Sequence, residues 1–392
     1  LRDVVVISGA RTPFGEFCGE LQQIKAIDLG AVAARGAIER AGIRSDQVDQ
    51  VIFGNVMQTS RDALFGARHV GLKSGVPFEA PALTVNRMGG SGLQAILSGS
   101  QLIRLDEAEI CLVGGMENMS QSPQVVRNAR SKAVAGLSFM EDSLWTALLD
   151  TYNNMRMVET AEILARRYNI SREEQDEFAL RSYMAAVAAR DQGRLSKEII
   201  PVVIKDKLGE EAYCEIDESI RETTIEKLAA MKPAGHKNGS VTSGNSSGIN
   251  DGAAALIIAS KEKAENLGLN YMAALKSYSV AGVDPDIMGI GLAPALQSAV
   301  EKAGLDLSDI GLFEIHESFA AQYLACERDL KLDRNKVNVN GGAIAIGNPL
   351  AASGARLVLT LLLEMSIRDV AFGAAALSIG GGQGIAVIFE KG

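Results

Sequence analysis

Short apolar runs alternate with small-residue turns and with stretches whose apolar positions recur every three or four residues. Val4-Val5-Val6-Ile7 opens the series and runs into Ser8-Gly9-Ala10-Arg11-Thr12-Pro13. That run is too short for a spanning helix or a signal h-region, so it predicts a first buried strand and no membrane span. Residues 31–55 read as an Ala-rich helix, then Ala41-Gly42-Ile43, a polar turn and the strand Val51-Ile52-Phe53-Gly54-Asn55. Residues 291–317 repeat the pattern: a helix ends at Ala303-Gly304-Leu305, and a strand runs from Leu312 through Ile315 into His316-Glu317. Gly42 and Gly304 each fall just past a helix, where a left-handed cap is cheapest for glycine.

Two further pairs follow in the same order. Thr84-Val85-Asn86 leads into Gly89-Gly90-Ser91-Gly92 and the apolar helix Leu93 to Ile103, and Val337-Asn338-Val339-Asn340 leads into Gly341-Gly342. After Ser353-Gly354 comes a helix from Ala355 to Leu363. The strand Ile110 to Val113 ends in Gly114-Gly115, and its counterpart Ala374 to Leu377 ends in Gly380-Gly381-Gly382. Chance likeness of generic strand-turn-helix units is a real alternative for any one pair but not for all three in one order, which point to duplicated α/β halves. Between the halves, residues 120–248 are more charged. Ser171 and Glu174 form a capping box for a helix carrying Phe178, Leu180, Met184 and Val187 and closed by Gly193. Residues 239–248 are a small-residue loop, either a return linker or a place where a ligand approaches backbone.

Composition narrows the class. The 392 residues exceed one typical core, and 47% hydrophobic with 22% charged residues is ordinary for a soluble globular protein. A net charge of −9 argues against nucleic acid and anionic membrane as partners. Cys18, Cys111, Cys214 and Cys326 show no Cys-x-x-Cys spacing, so no metal or redox motif is expected, and free thiols suit a reducing cytoplasm.

The stretch Asn86-Arg87-Met88-Gly89-Gly90-Ser91-Gly92-Leu93-Gln94-Ala95 resembles the thiolase stretch Asn-Arg-Leu-Cys-Gly-Ser-Gly-Leu-Gln-Ala. Gly114 to Ser120 is similar to the thiolase Gly-Gly-x-Glu-x-Met-Ser turn, Gly239 to Gly252 to the coenzyme A loop, and Gly341 to Arg356 to the C-terminal His motif. The resemblance covers the whole chain. It implies an α/β fold, a duplicated αβαβα five-layered sandwich with an inserted loop domain. The halves would be 1–118 with 250–270, and 271–392, around a coenzyme A-binding loop domain at 119–249. It also implies coenzyme A or acyl-CoA as substrate, no permanently bound cofactor, and a homodimer or homotetramer. A second thiolase-like or acyl-carrier subunit is the other partner class it allows.

The departures from the family pattern are specific. Gly89 stands where thiolases place the nucleophilic Cys, Asn348 where they place the activating His, and Ser378 where they place a second, acid/base Cys. Glycine has no side chain to acylate, asparagine donates but does not accept a proton usefully, and an unassisted serine is a poor base. By resemblance, the backbone N–H groups of Gly89 and Gly380 remain as one oxyanion site. His316, in His316-Glu317-Ser318-Phe319, could join Asn348 in donating to a thioester oxygen, and is the sole general-base candidate. Ser378 reads as a filler for a lost cysteine, and His69 and His236 as ordinary helix and loop residues. Ser247 would touch pantetheine, Arg221 the nucleotide end, and Met157 and Phe319 the tunnel. Val158 replaces a glycine there, Arg156 and Glu159 add charge, and Gly235 replaces an aromatic residue. These residues lead to an expected CoA-thioester acyltransferase without a covalent acyl-cysteine, making or breaking bonds through the retained oxyanion sites. The alternative is a catalytically inactive acyl-CoA-binding or partner subunit.

Overall fold

In the computed structural model, residues 2–127, 140–205 and 208–392 are described. The apolar runs assemble into one continuous sheet whose order is palindromic. From one edge it runs Leu312–Ile315, Phe372–Ile379, Gln383–Lys391, Ala273–Gly282, then Val4–Arg11, Asn250–Ser260, Ile110–Asn118, Gln50–Gly54 and Ala82–Val85. On either side of the centre the pairings match. Gln50–Gly54 is parallel to Ile110–Asn118 just as Leu312–Ile315 is parallel to Phe372–Ile379, and the inner pairs are antiparallel in both halves. The halves join through two residue pairs, Val5 with Ala274 and Val6 with Ala273.

Five layers follow from which strand faces are apolar. Apart from Ala273–Gly282 and Ala82–Val85, which are partly exposed, these strands are buried on both faces, so each half must be covered twice. Helices Ser91–Arg104 and Leu350–Arg368 lie between the halves, where Ile96, Leu97, Val358 and Leu361 pack with Val113, Leu256, Ala375 and Leu377. Ala26–Ala41 covers the outside of the first half, and Leu292–Ala303 with Ala320–Leu330 covers the outside of the second. Helix Leu350–Arg368 is long and apolar enough to cross a membrane, yet 78% of its apolar window is buried in this core. It is the central helix of the sandwich.

Glycine accounts for two of the boundaries that differ from the sequence reading. The central helix starts at Leu350 rather than Ala355, since Gly354 is no turn but the point where a side chain would strike the backbone nitrogen of Leu93, 2.5 Å away. Strand Ile110–Asn118 continues through Gly114-Gly115 because a Cβ on Gly115 would lie 1.9 Å from the carbonyl oxygen of Ala351. Gly42 and Gly304 do cap their helices, with φ of 67° and 71°.

The segment between Asn118 and Asn250 leaves and returns at one place, since Asp251 pairs with Asn118 across adjacent strands. It carries helices Met157–Arg167 and Arg172–Asp191, the latter starting in the expected box: the Ser171 N–H donates to Glu174 Oε2 at 2.8 Å and the Glu174 N–H to Ser171 Oγ at 3.2 Å. A buried ion cluster ties the segment to the first strand. Arg11 donates from Nε to Glu198 at 2.7 Å and from both terminal nitrogens to Asp217 at 2.6 and 2.8 Å.

Candidate active site

A cavity of about 380 Å³ opens where the turns at the C-terminal ends of both half-sheets meet the loop 243–249. Gly89 reaches it from the turn between strand Ala82–Val85 and helix Ser91–Arg104. That turn is locked by side chains. The Met88 N–H donates to Asn86 Oδ1 at 3.0 Å, the Arg87 N–H to Ser91 Oγ at 2.9 Å, and Arg87 Nε to Gln94 Oε1 at 2.9 Å. Met88 is held at φ 43°, a left-handed conformation costing about 1–2 kcal/mol outside glycine, which rigid surroundings must impose. A Cβ built on Gly89 meets nothing within 4 Å, so the turn presents bare backbone to open space.

His316, Ser318 and Phe319 line the cavity from the junction of strand Leu312–Ile315 and helix Ala320–Leu330. Asn348 joins them from the bend before the central helix. The His316 ring lies between two side chains, with Nδ1 2.9 Å from Ser318 Oγ and Nε2 3.0 Å from Asn348 Oδ1. Asn348 Oδ1 also accepts from Ser353 Oγ at 2.7 Å, and its Nδ2 donates to Ser247 Oγ at 3.2 Å. Burial, and then the nearby Arg356 cation, push His316 down to about 4, so the ring is neutral at physiological pH. A ring that binds a proton so weakly, and whose one free lone pair is already engaged by Ser318, is a poor base. The expected general base is therefore corrected, and so is the idea that His316 and Asn348 donate side by side.

Ser378 also lines the cavity, but its hydroxyl donates to the Gly289 carbonyl at 2.5 Å and accepts from the Leu292 N–H at 3.1 Å. It fastens the start of helix Leu292–Ala303 and has no lone proton acceptor beside it. Gly380, Met157, Phe319 and Ser247 are brought to the same cavity. Arg221 is not: it pairs with Glu16 at 3.1 Å, sits over the Tyr183 ring, and lines an adjoining cavity of about 210 Å³ that shares Ser243, Ser246 and Gly248 with the first. Arg156 and Glu159 pair with each other at the start of helix Met157–Arg167. A Cβ built on Gly235 would lie 3.5 Å from the Val158 methyl groups, so a side chain there would pack directly against Val158. His69 stacks on Phe65, and His236 is exposed near Glu159.

None of the described cysteines lines the cavity. Cys326 is near it, donating to the Gly289 carbonyl at 3.3 Å from the far side, and burial pushes its thiol up to about 12.

Two buried glutamates support the site, and sequence reasoning missed their role. Glu117 accepts from the Asn55 side chain at 3.0 Å and from the N–H groups of Met57 and Ala351 at 2.9 and 3.2 Å, while burial raises it to about 7. It joins the first half to the start of the central helix. Glu317 accepts from Ser182 and Asn338, both at 2.7 Å, and fixes the His316 turn against helix Arg172–Asp191. An acid in an otherwise apolar strand end was the available signal.

This chain belongs to the thiolase family: the thiolase N-terminal domain matches residues 4–262 and the thiolase C-terminal domain residues 269–391. It is an enzyme of the thiolase acyltransferase type. Among its relatives, the mitochondrial 3-ketoacyl-CoA thiolase of Homo sapiens is 47% identical over 100% of this chain and 99% of its own length. An acetyl-CoA acetyltransferase of Syntrophomonas wolfei is 46% identical over 99% of both chains. The crystal structure of the human mitochondrial thiolase in complex with CoA superposes with a TM-score of 0.96 at 46% identity, covering 100% of this chain and 98% of that one. These relatives overturn the expectation of a non-covalent transferase or an inactive subunit, because full-length chains this similar carry the names of ordinary thiolases.

Proposed function

We propose that this chain catalyses thiolase chemistry on 3-ketoacyl-CoA thioesters. Coenzyme A sulfur bonds to the 3-keto carbon, the bond between that carbon and the α-carbon breaks, and the thiol proton ends on the released acetyl-CoA. The observation that carries the reading is the cavity itself. An apolar wall of Met88, Met119, Leu148, Met288 and Leu350 faces an edge of amide and hydroxyl groups at Asn348, Ser247 and Gly89. An apolar chamber with few convergent polar groups suits an acyl thioester. The names of the relatives and the CoA complex of the human protein support the substrate class.

On the same reading we propose a homodimer or homotetramer, and its free cysteines suit the reducing cytoplasm. In its support, strand Ala82–Val85 ends the sheet with one edge unpaired among the described residues, beside exposed Leu64, Phe65, Phe78 and Leu83. Such an edge invites a second copy. The test of function is CoA-dependent loss of acetoacetyl-CoA with acetyl-CoA formed in matching amount. Tight acyl-CoA binding with no acetyl-CoA formed overturns it.

A further inference from the structure

We propose that Asn250, a residue outside the catalytic cavity, is a positioning residue for the reaction: its carboxamide sets the bend at Gly347 and Asn348. This rests on the thiolase reading for the reaction served, while the placement of the bend can be read without turnover.

The bend joins the short helix Ala343–Ile346 to the central helix Leu350–Arg368, and its main chain has few ways to be held. The Gly347 N–H is spent on the Ala343 carbonyl at 3.0 Å, and Pro349 has no N–H. The Asn348 N–H remains, and it donates to Asn250 Oδ1 at 2.8 Å. Asn250 is buried at the start of strand Asn250–Ser260, and its Nδ2 donates to the Gly15 carbonyl at 2.9 Å and to Ser219 Oγ at 3.0 Å. Turned over, the carboxamide would set Nδ2 against the Asn348 N–H and Oδ1 against the Gly15 carbonyl, so its orientation is fixed. One side chain therefore gathers the first half through Gly15, the insertion through Ser219 and the second half through Asn348.

Glycine makes room for it on two sides. Gly347 has φ of 115°, and a Cβ there would lie 2.7 Å from Asn250 Cγ, while a Cβ on Gly248 would lie 2.8 Å from Asn250 Oδ1. Pro349 in turn restricts Asn348 to extended backbone. With the main chain held, the Asn348 side chain has only its rotamer left to set, and His316, Ser353 and Ser247 set it. Asn250 itself lines the adjoining cavity of about 210 Å³ rather than the catalytic one, so its effect on turnover passes through Asn348.

A double-mutant cycle in CoA-dependent 3-ketoacyl-CoA cleavage, at equal fold content, tests this. Asn250→Ala is expected to lower kcat by roughly 10–10²-fold with KM little changed, the size that a misplaced group costs. In an Asn348→Ala background the same change should lower kcat by no more than about twofold, because the group it positions is gone. A general weakening of the fold acts alike in both backgrounds, so equal losses overturn the proposal. A loss confined to KM overturns it too, since that is direct contact with substrate. Ser219→Ala leaves Oδ1 in place and takes one partner from Nδ2; it should give a smaller loss with the same non-additivity, and it serves where Asn250→Ala does not fold. A crystal structure of the folded variant reads the placement without turnover. The Asn348 carboxamide is expected to lose its 3.0 Å contact with His316 Nε2, and a carboxamide that has not moved overturns the proposal. A parent without turnover overturns the thiolase reading instead, and the crystal structure then decides the positioning alone.

Discussion

Replacing Gly89 by cysteine tests how literally the open space at that turn can be taken. The Cβ has no neighbour within 4 Å, whereas a Cβ on Gly90 would lie 2.5 Å from Ile379 Cδ1 and one on Gly92 2.4 Å from the Ala351 carbonyl oxygen. Position 89 is therefore the tolerant member of this turn, and its φ lies outside the left-handed region. Restricting the unfolded chain at a compatible site stabilises by about 0.4–1 kcal/mol, so the melting temperature is expected to hold or rise slightly. The introduced thiol would stand just ahead of helix Ser91–Arg104, whose N-terminal partial charge favours the thiolate. Intact mass and peptide mapping after incubation with acyl-CoA should place an acyl adduct at residue 89. Exposed Cys18 serves as the reactivity reference. Asn348 cannot take the thiol proton, so adding Asn348→His should raise thiolysis over Gly89→Cys alone by about 10²–10⁴-fold, the usual range for a positioned base. A variant at residue 89 that melts well below the parent, or whose new thiol is as inert as the buried cysteines, would refute the geometry.

Three other outcomes follow from packing and charge. Gly115→Ala forces a methyl group into the Ala351 carbonyl and should cost at least about 1–3 kcal/mol in urea unfolding. Asp217→Ala leaves Arg11 buried with one carboxylate partner fewer and should cost about 3–5 kcal/mol, with the loss of folded signal checked by circular dichroism. His316 titrates near 4 when folded and at its ordinary 6.5 when unfolded. Between those values the unfolded chain binds the proton and the folded chain does not, so stability is fully present above pH 6.5 and falls as pH drops toward 4. From pH 7 to pH 5 the parent should lose about 2 kcal/mol more than His316→Asn does, read from urea midpoints at each pH.

The duplicated halves are legible in the sequence because the central strands are apolar on both faces and the matched turns carry glycine. The misplaced boundaries come from the same marks. Gly354 and Gly115 serve close backbone approach inside a helix and a strand, and a glycine needed for space looks like a glycine needed for a turn. Asn348 and His316 are visible through their motifs, yet the direction of the bond between them depends on Ser318 and Ser353, and no local pattern encodes that. Arg221 is held by Glu16, which lies about two hundred positions earlier in the chain, a pairing set by tertiary structure alone. The three changed positions pointed away from ordinary thiolase activity, and relatives alike along the whole chain correct that inference.

The most direct measurement is CoA-dependent cleavage of a 3-ketoacyl-CoA by the purified full chain, run beside its Asn348→Ala variant at equal fold content. Cleavage by the parent, slowed roughly 10²–10³-fold in the variant, is the predicted result. Equal rates in the two proteins, or no cleavage by either while both bind the thioester, would contradict it.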